Sequence, residues 1–163
     1  MKKTISKGIQ GILGETRVCA EILKKGLNAT ITHGNSKATD LLVFAQGGRY
    51  IRVEVKTSYN GKRFVTGYYP KYSDLNALHP DVWIFYLPDQ MLSSCGDRFF
   101  IATHVETGRL QLAVNKGKKT SRGCGVDNIP VLTLMAAGTE NAWNVLIEAL
   151  EWKADGRHHA PPI

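Results

Sequence analysis

Positions Ile9, Ile12, Leu13, Thr16, Cys19, Ala20 and Leu23 recur at i, i+3, i+4 and i+7. That spacing predicts an amphipathic helix with this stripe as its buried face, stopping near Gly26. The pattern then changes period. Residues 29–33 and 40–44 read as short strands, with a turn at 34–37 between them, and Gln46-Gly47-Gly48 reads as a hairpin turn. From 50 to 56 alternation is strict, with Ile51, Val53 and Val55 on one side and Arg52, Glu54 and Lys56 on the other. Residues 59–72 look like a loop, and 73–78 like a short helix. Residues 81–87 form an apolar run bounded by Pro80 and Pro88, the mark of a fully buried strand. Another strand is expected at 99–102, a Gly- and Lys-rich loop at 116–125, and a last helix at 139–152. That helix would be N-capped by Thr139 and bury Trp143, Leu146, Ile147 and Leu150. Helix, three strands, short helix, strand describes a mixed α/β domain.

No repeat or linker divides the 163 residues, and 43% hydrophobic content suffices for one sizeable core. The expected organisation is a single domain with a core over about 5–102, additions over 103–153 and a frayed tail at 154–163. No apolar run approaches membrane-spanning length, and glycines, Gln10 and Glu15 interrupt any signal-peptide core after the basic start. Three cysteines without a Cys-x-x-Cys pair suggest neither a disulfide framework nor a zinc site. A cytoplasmic setting is the default expectation.

Charge is more informative than its total of +7. Residues 1–63 carry twelve of the 21 bases but only four of the 14 acids, leaving the remainder of the chain close to neutral. A basic half of this kind marks a polyanion-binding surface, the alternative being a generally basic exterior. Four carboxylates survive in that half: Glu15, Glu21, Asp40 and Glu54. Glu21 stands on the polar helix face four residues before Lys25 and reads as a solvated helix pair. Glu54 and Lys56 share a strand face, and a tight hairpin at Gly47-Gly48 would bring Asp40 beside Glu54. Two carboxylates so placed repel by roughly 3 kcal/mol at about 5 Å and an effective dielectric near 20. A divalent cation removes that penalty, and oxygen ligands suit Mg²⁺ or Mn²⁺. At about 100° per residue, Glu15 falls at the edge of the apolar stripe, with Gly8 and Gly11 on its own side. That bare lane admits a backbone such as a phosphodiester strand. Each residue also has a plainer reading. Glu54 and Lys56 would be a solvated strand pair, Asp40 a turn cap for 35–37, and Glu15 the partner of an exposed lysine.

Three stretches together, Lys7-Gly-Ile-Gln-Gly-Ile-Leu-Gly-Glu15, Ala38-Thr-Asp-Leu-Leu-Val43 and Ile51-Arg-Val-Glu-Val-Lys-Thr-Ser58, resemble the PD-(D/E)XK nuclease superfamily. The likeness is to its small Holliday-junction-resolvase-like and restriction-endonuclease-like members. It covers about residues 5–90, with Thr39 where the family name has Pro. The resemblance implies a restriction-endonuclease-like αβββαβ core, a mixed central sheet flanked by helices. It implies Mg²⁺ (or Mn²⁺) held by Asp40, Glu54 and the Val55 carbonyl, with Glu15 completing the acidic cluster, directly or through water, or helping to hold a second metal. Lys56 would orient or deprotonate the attacking water, giving phosphodiester hydrolysis that leaves a 5′-phosphate. It further implies DNA as substrate, with RNA also possible, and a homodimer.

For substrate contact, Thr57 and Ser58 are candidate phosphate donors. Residues 59–72 mix Lys62, Arg63 and Lys71 with Tyr68, Tyr69 and other aromatics, a composition suited to phosphate contact and base stacking. The same tyrosines equally suit packing over the core rim. Lys116, Lys118, Lys119 and Arg122 form a second basic loop. His33, His79 and His104 are isolated and read as surface or core-rim residues. The rival functions are a non-catalytic nucleic-acid-binding module and a protein-interaction module retaining the nuclease fold.

Overall fold

The alternating run at 50–56 becomes the strand on which the rest of the molecule is assembled. A computed structural model describes residues 6–32, 39–72, 78–89, 96–118 and 127–154. Its elements are α1 (Lys7–Lys24), β1 (Asn28–Ile31), β2 (Leu41–Phe44), β3 (Tyr50–Thr57), β4 (Arg63–Val65), α2 (Tyr68–Tyr72), β5 (Val82–Leu87), β6 (Arg98–Thr103), α3 (His104–Val114), β7 (Asn128–Pro130), α4 (Val131–Ala136) and α5 (Asn144–Ala154). Five strands form one sheet in the order β1-β2-β3-β5-β6. Only the β3–β5 pair is parallel, so the sheet is mixed, and helices flank it. Among the described residues no helix is long and apolar enough to cross a membrane.

Period-two alternation along β3 divides the interior. Ile51, Val53 and Val55 join Val18, Cys19 and Ile22 of α1 and Leu146 and Leu150 of α5 in one core. On the opposite face, Trp83, Phe85 and Leu87 of β5 pack with Phe64, Tyr68, Tyr69, Phe100, Ile129 and Leu134 in a second core. Glu54 and Lys56 belong to that second face by parity. The hairpin between β2 and β3 turns at Gly47 and Gly48, whose φ values of 86° and 80° suit glycine.

Three expectations are corrected. On α1 the inward face is Gly14, Val18, Cys19 and Ile22. Ile9, Ile12, Leu13 and Leu23, from the expected core stripe, are 53%, 62%, 44% and 49% exposed. The reason lies at Gly14, where the helix meets β3 so closely that an added Cβ would stand 1.8 Å from Thr57 Oγ1. Contact with the sheet requires the small residue, so the face carrying it turns inward and the bulkier aliphatics turn out. Second, 59–72 is not simply a loop. It holds β4, which pairs with the distant β7, and the single-turn α2. Third, Thr139 does not cap the last helix. Residues 139–141 run beside β6 instead, through Ile101 N–H to the Thr139 carbonyl and Asn141 N–H to the Phe99 carbonyl. The helix therefore starts later, Leu146 and Leu150 are buried, and Ile147 is 47% exposed. The expected turn at 34–37 and most of the short helix at 73–78 fall outside the described residues, as do residues 155–163 of the expected tail.

Candidate active site

The hairpin register sets the first two acidic groups. Leu41 pairs with Val53 and Phe44 with Tyr50, and continuing that register sets Asp40 opposite Glu54. Asp40 stands where β2 leaves the sheet. Its amide donates to the Val53 carbonyl at 2.9 Å, and its Oδ2 accepts from the Val55 amide at 2.7 Å. The side chain thus takes the place of a ladder partner, a use for which Asp is short enough. Oδ1 has no hydrogen-bond partner among the described residues.

Glu54 is buried, 3% exposed, between two cations. Its Oε1 receives Lys56 Nζ at 2.5 Å and Lys71 Nζ at 3.0 Å. Lys56 Nζ also lies 5.7 Å from the centre of the Trp83 ring, a cation–π contact. Burial pushes the Glu54 carboxyl up, but the two ammoniums outweigh it and hold it below its ordinary value. Asp40 goes the other way. Burial first and then the Glu54 charge raise it, against the pull of the Val55 amide, Lys56 and Lys71.

Glu15 arrives from the helix. Burial raises its carboxyl, the Asp40 and Glu54 charges raise it further, and Lys56 alone lowers it. The carboxylates of α1, the end of β2 and β3 therefore act electrostatically on one another and on Lys56. They do not close into a ligand shell. Among the described residues no group of three acidic, histidine or cysteine side chains stands ready to hold a metal ion. The reason is visible in the bonds: Glu54 is drawn to two lysines and Asp40 to a backbone amide. The donors present are nevertheless carboxylate oxygens, the type that a hard divalent cation takes.

Beside Glu15 the helix is bare. An added Cβ at Gly8 would meet nothing within 4 Å, and at Gly11 only Glu15 Oε1 at 3.9 Å. Lys62, Arg63 and Lys118 are exposed, whereas Lys119 and Arg122 fall outside the described residues. Other expected contacts are corrected. Tyr68 and Tyr69 are 3% and 7% exposed and form part of the second core, so their rings are closed to base stacking. The Ser58 hydroxyl is spent bracing its own loop, donating to the Arg63 carbonyl at 2.7 Å. Thr57 packs against Gly14 rather than facing open space.

Two residues gain a place that sequence reasoning missed. Lys71, expected only as a phosphate contact, is a direct partner of Glu54. Tyr72 follows it, packs against Trp83 and His104, and has a buried hydroxyl without a partner among the described residues. Both depend on α2, which has no local signature. Beneath them Trp83 Nε1–H donates to His104 Nδ1 at 3.1 Å. The indole is only a donor, so that nitrogen is bare and the proton sits on Nε2, 3.1 Å from the Tyr68 hydroxyl.

One solved structure, of the bacterial homing endonuclease I-Ssp6803I, superposes with a TM-score of 0.61 over 93% of this chain and 99% of that one, at 15% identity. This chain shares that fold. The sequence itself matches no protein-family model and no curated protein. The shared fold spans nearly the whole of both chains.

Proposed function

We propose that this protein is a PD-(D/E)XK-type, divalent-metal-dependent endonuclease acting on DNA. The observation that carries the proposal is Asp40 beside Glu54 where β2 meets β3, with Lys56 bound to Glu54 and the Glu15 carboxyl of α1 within electrostatic reach of all three. The nuclease fold and the basic first 63 residues support it. Asp40, Glu54, the Val55 carbonyl and Glu15 would hold Mg²⁺ or Mn²⁺. That ion supplies Lewis-acid polarisation of a phosphoryl oxygen and a more acidic water. Lys56, 2.5 Å from Glu54 and over the Trp83 ring, orients the attacking water and stabilises the charge that develops on the phosphate. Gly8 and Gly11 leave room for the phosphodiester backbone beside Glu15, while Lys62, Arg63, Lys71 and Lys118 neutralise neighbouring phosphates. Lys119 and Arg122 are assigned the same role on charge alone. The resemblance further suggests a homodimer.

The decisive experiment is a cleavage panel of linear, nicked, four-way-junction and single-stranded substrates, with Mg²⁺, with Mn²⁺ and with chelator. Metal-dependent cutting is expected. Glu54→Ala and Lys56→Ala should abolish it while binding persists, and robust cutting by Asp40→Ala counts against the site. A second reading, a nucleic-acid-binding module that no longer cuts, draws on the open arrangement of the carboxylates. Metal-insensitive binding without cleavage on any substrate would select it.

A further inference from the structure

Two ammoniums share one carboxylate oxygen, and they are not alike. Lys56 lies along β3 two residues from Glu54, has a 20% exposed side chain and sits over Trp83. Lys71 reaches the same Oε1 from α2, with a side chain 50% exposed. Its stem passes Gly67, where an added Cβ would lie 4.0 Å from Lys71 Cε. One lysine is fixed in place; the other only has its head at the site.

Charge decides which must yield. Glu15, Asp40 and Glu54 against Lys56 and Lys71 leave one negative charge. A divalent cation among them overshoots to one positive charge, and departure of one lysine restores neutrality. Lys71, with its side chain 50% exposed against 20% for Lys56, has the more open path to solvent. A phosphodiester brings one further negative charge, and an ammonium released beside the site is placed to meet it.

We propose that Lys71 is a resident counter-ion: it occupies Glu54 in the metal-free protein, yields to a divalent cation, and transfers its charge to the phosphate backbone of the substrate. This rests on the nuclease reading above. Metal and nucleic acid then bind with positive coupling, each favouring the lysine position that suits the other.

The test measures binding, not turnover. Mn²⁺ binding without DNA is followed by electron paramagnetic resonance. Binding of a DNA duplex is followed by fluorescence anisotropy with and without Ca²⁺. Lys71→Gln should bind Mn²⁺ about tenfold more tightly than wild type, since one positive charge has left the neighbourhood of the ion. The same variant should lose the enhancement of DNA binding by Ca²⁺. Lys71→Arg should behave as wild type, and Lys62→Gln should weaken DNA binding while leaving Mn²⁺ affinity unchanged. Equal or weaker Mn²⁺ binding by Lys71→Gln, or an undiminished Ca²⁺ effect, overturns the counter-ion role alone. Absence of Mn²⁺ binding from wild type and variant alike overturns the nuclease reading with it.

Discussion

Gly14→Ala is the sharpest test of how α1 is seated, because two effects of opposite sign compete. Alanine raises helix propensity by about 1 kcal/mol. Its Cβ, however, would stand 1.8 Å from Thr57 Oγ1, 3.0 Å from Thr57 Cβ and 3.3 Å from Thr57 Cγ2. Turning χ1 of Thr57 removes the oxygen from the worst position but leaves Cβ where it is. A β-branched side chain in a strand also pays for the less favoured rotamer. Overpacking of this kind costs about 1–3 kcal/mol, so the clash wins by about 1 kcal/mol, a fall in Tm of about 2–4 °C. Denaturant unfolding of wild type, Gly14→Ala, Thr57→Ala and the double variant measures both the loss and the coupling. The double variant should recover much of the loss caused by Gly14→Ala. Gly14→Ala as stable as wild type, or strictly additive values, would refute the close approach of helix and sheet.

Two further predictions concern stability. Ile22→Ala should cost about 2–5 kcal/mol, since Ile22 is fully buried, whereas Ile12→Ala should stay within about 0.5 kcal/mol. Denaturation midpoints in the reverse order would restore the apolar stripe as the buried face. His104, 9% exposed, has its pKa pushed down to about 3 by burial and then by stacked His79, against a small pull from Glu54. Its folded value lies below the unfolded one, so its contribution is complete above about pH 6.5. It drains as pH falls towards 3, by at most about 1.4 kcal/mol per pH unit. Unfolding curves across that window should flatten in His104→Gln; identical pH slopes would contradict a buried neutral imidazole.

Legibility in the sequence followed the kind of force at work. Strict alternation at 50–56 gave β3 and the shared face of Glu54 and Lys56, because a strand has only two sides. Continuing the hairpin register set Asp40 beside them. The stripe of α1 misled because the helix docks through a glycine, and hydropathy gives no weight to an absent side chain. α3 was missed although Thr103 and Glu106 form a capping box. Its buried residues are His104, Thr107, Gly108 and Gln111, so no apolar periodicity marks it. β4 and α2 were hidden because their support is distant, in β7 and in Asp127, whose carboxylate accepts from the Tyr69 amide at 2.8 Å. With α2 went the second lysine on Glu54.

Carboxyl ¹³C titration of wild type and Glu54→Gln reads the meeting of acidic groups without reference to any ion or substrate. Wild-type Glu15 and Asp40 should titrate above their ordinary values and Glu54 below its own. In Glu54→Gln, loss of a neighbouring negative charge should move both Glu15 and Asp40 downward. If either keeps its wild-type titration, the helix and the two strands do not bring their carboxylates to one place.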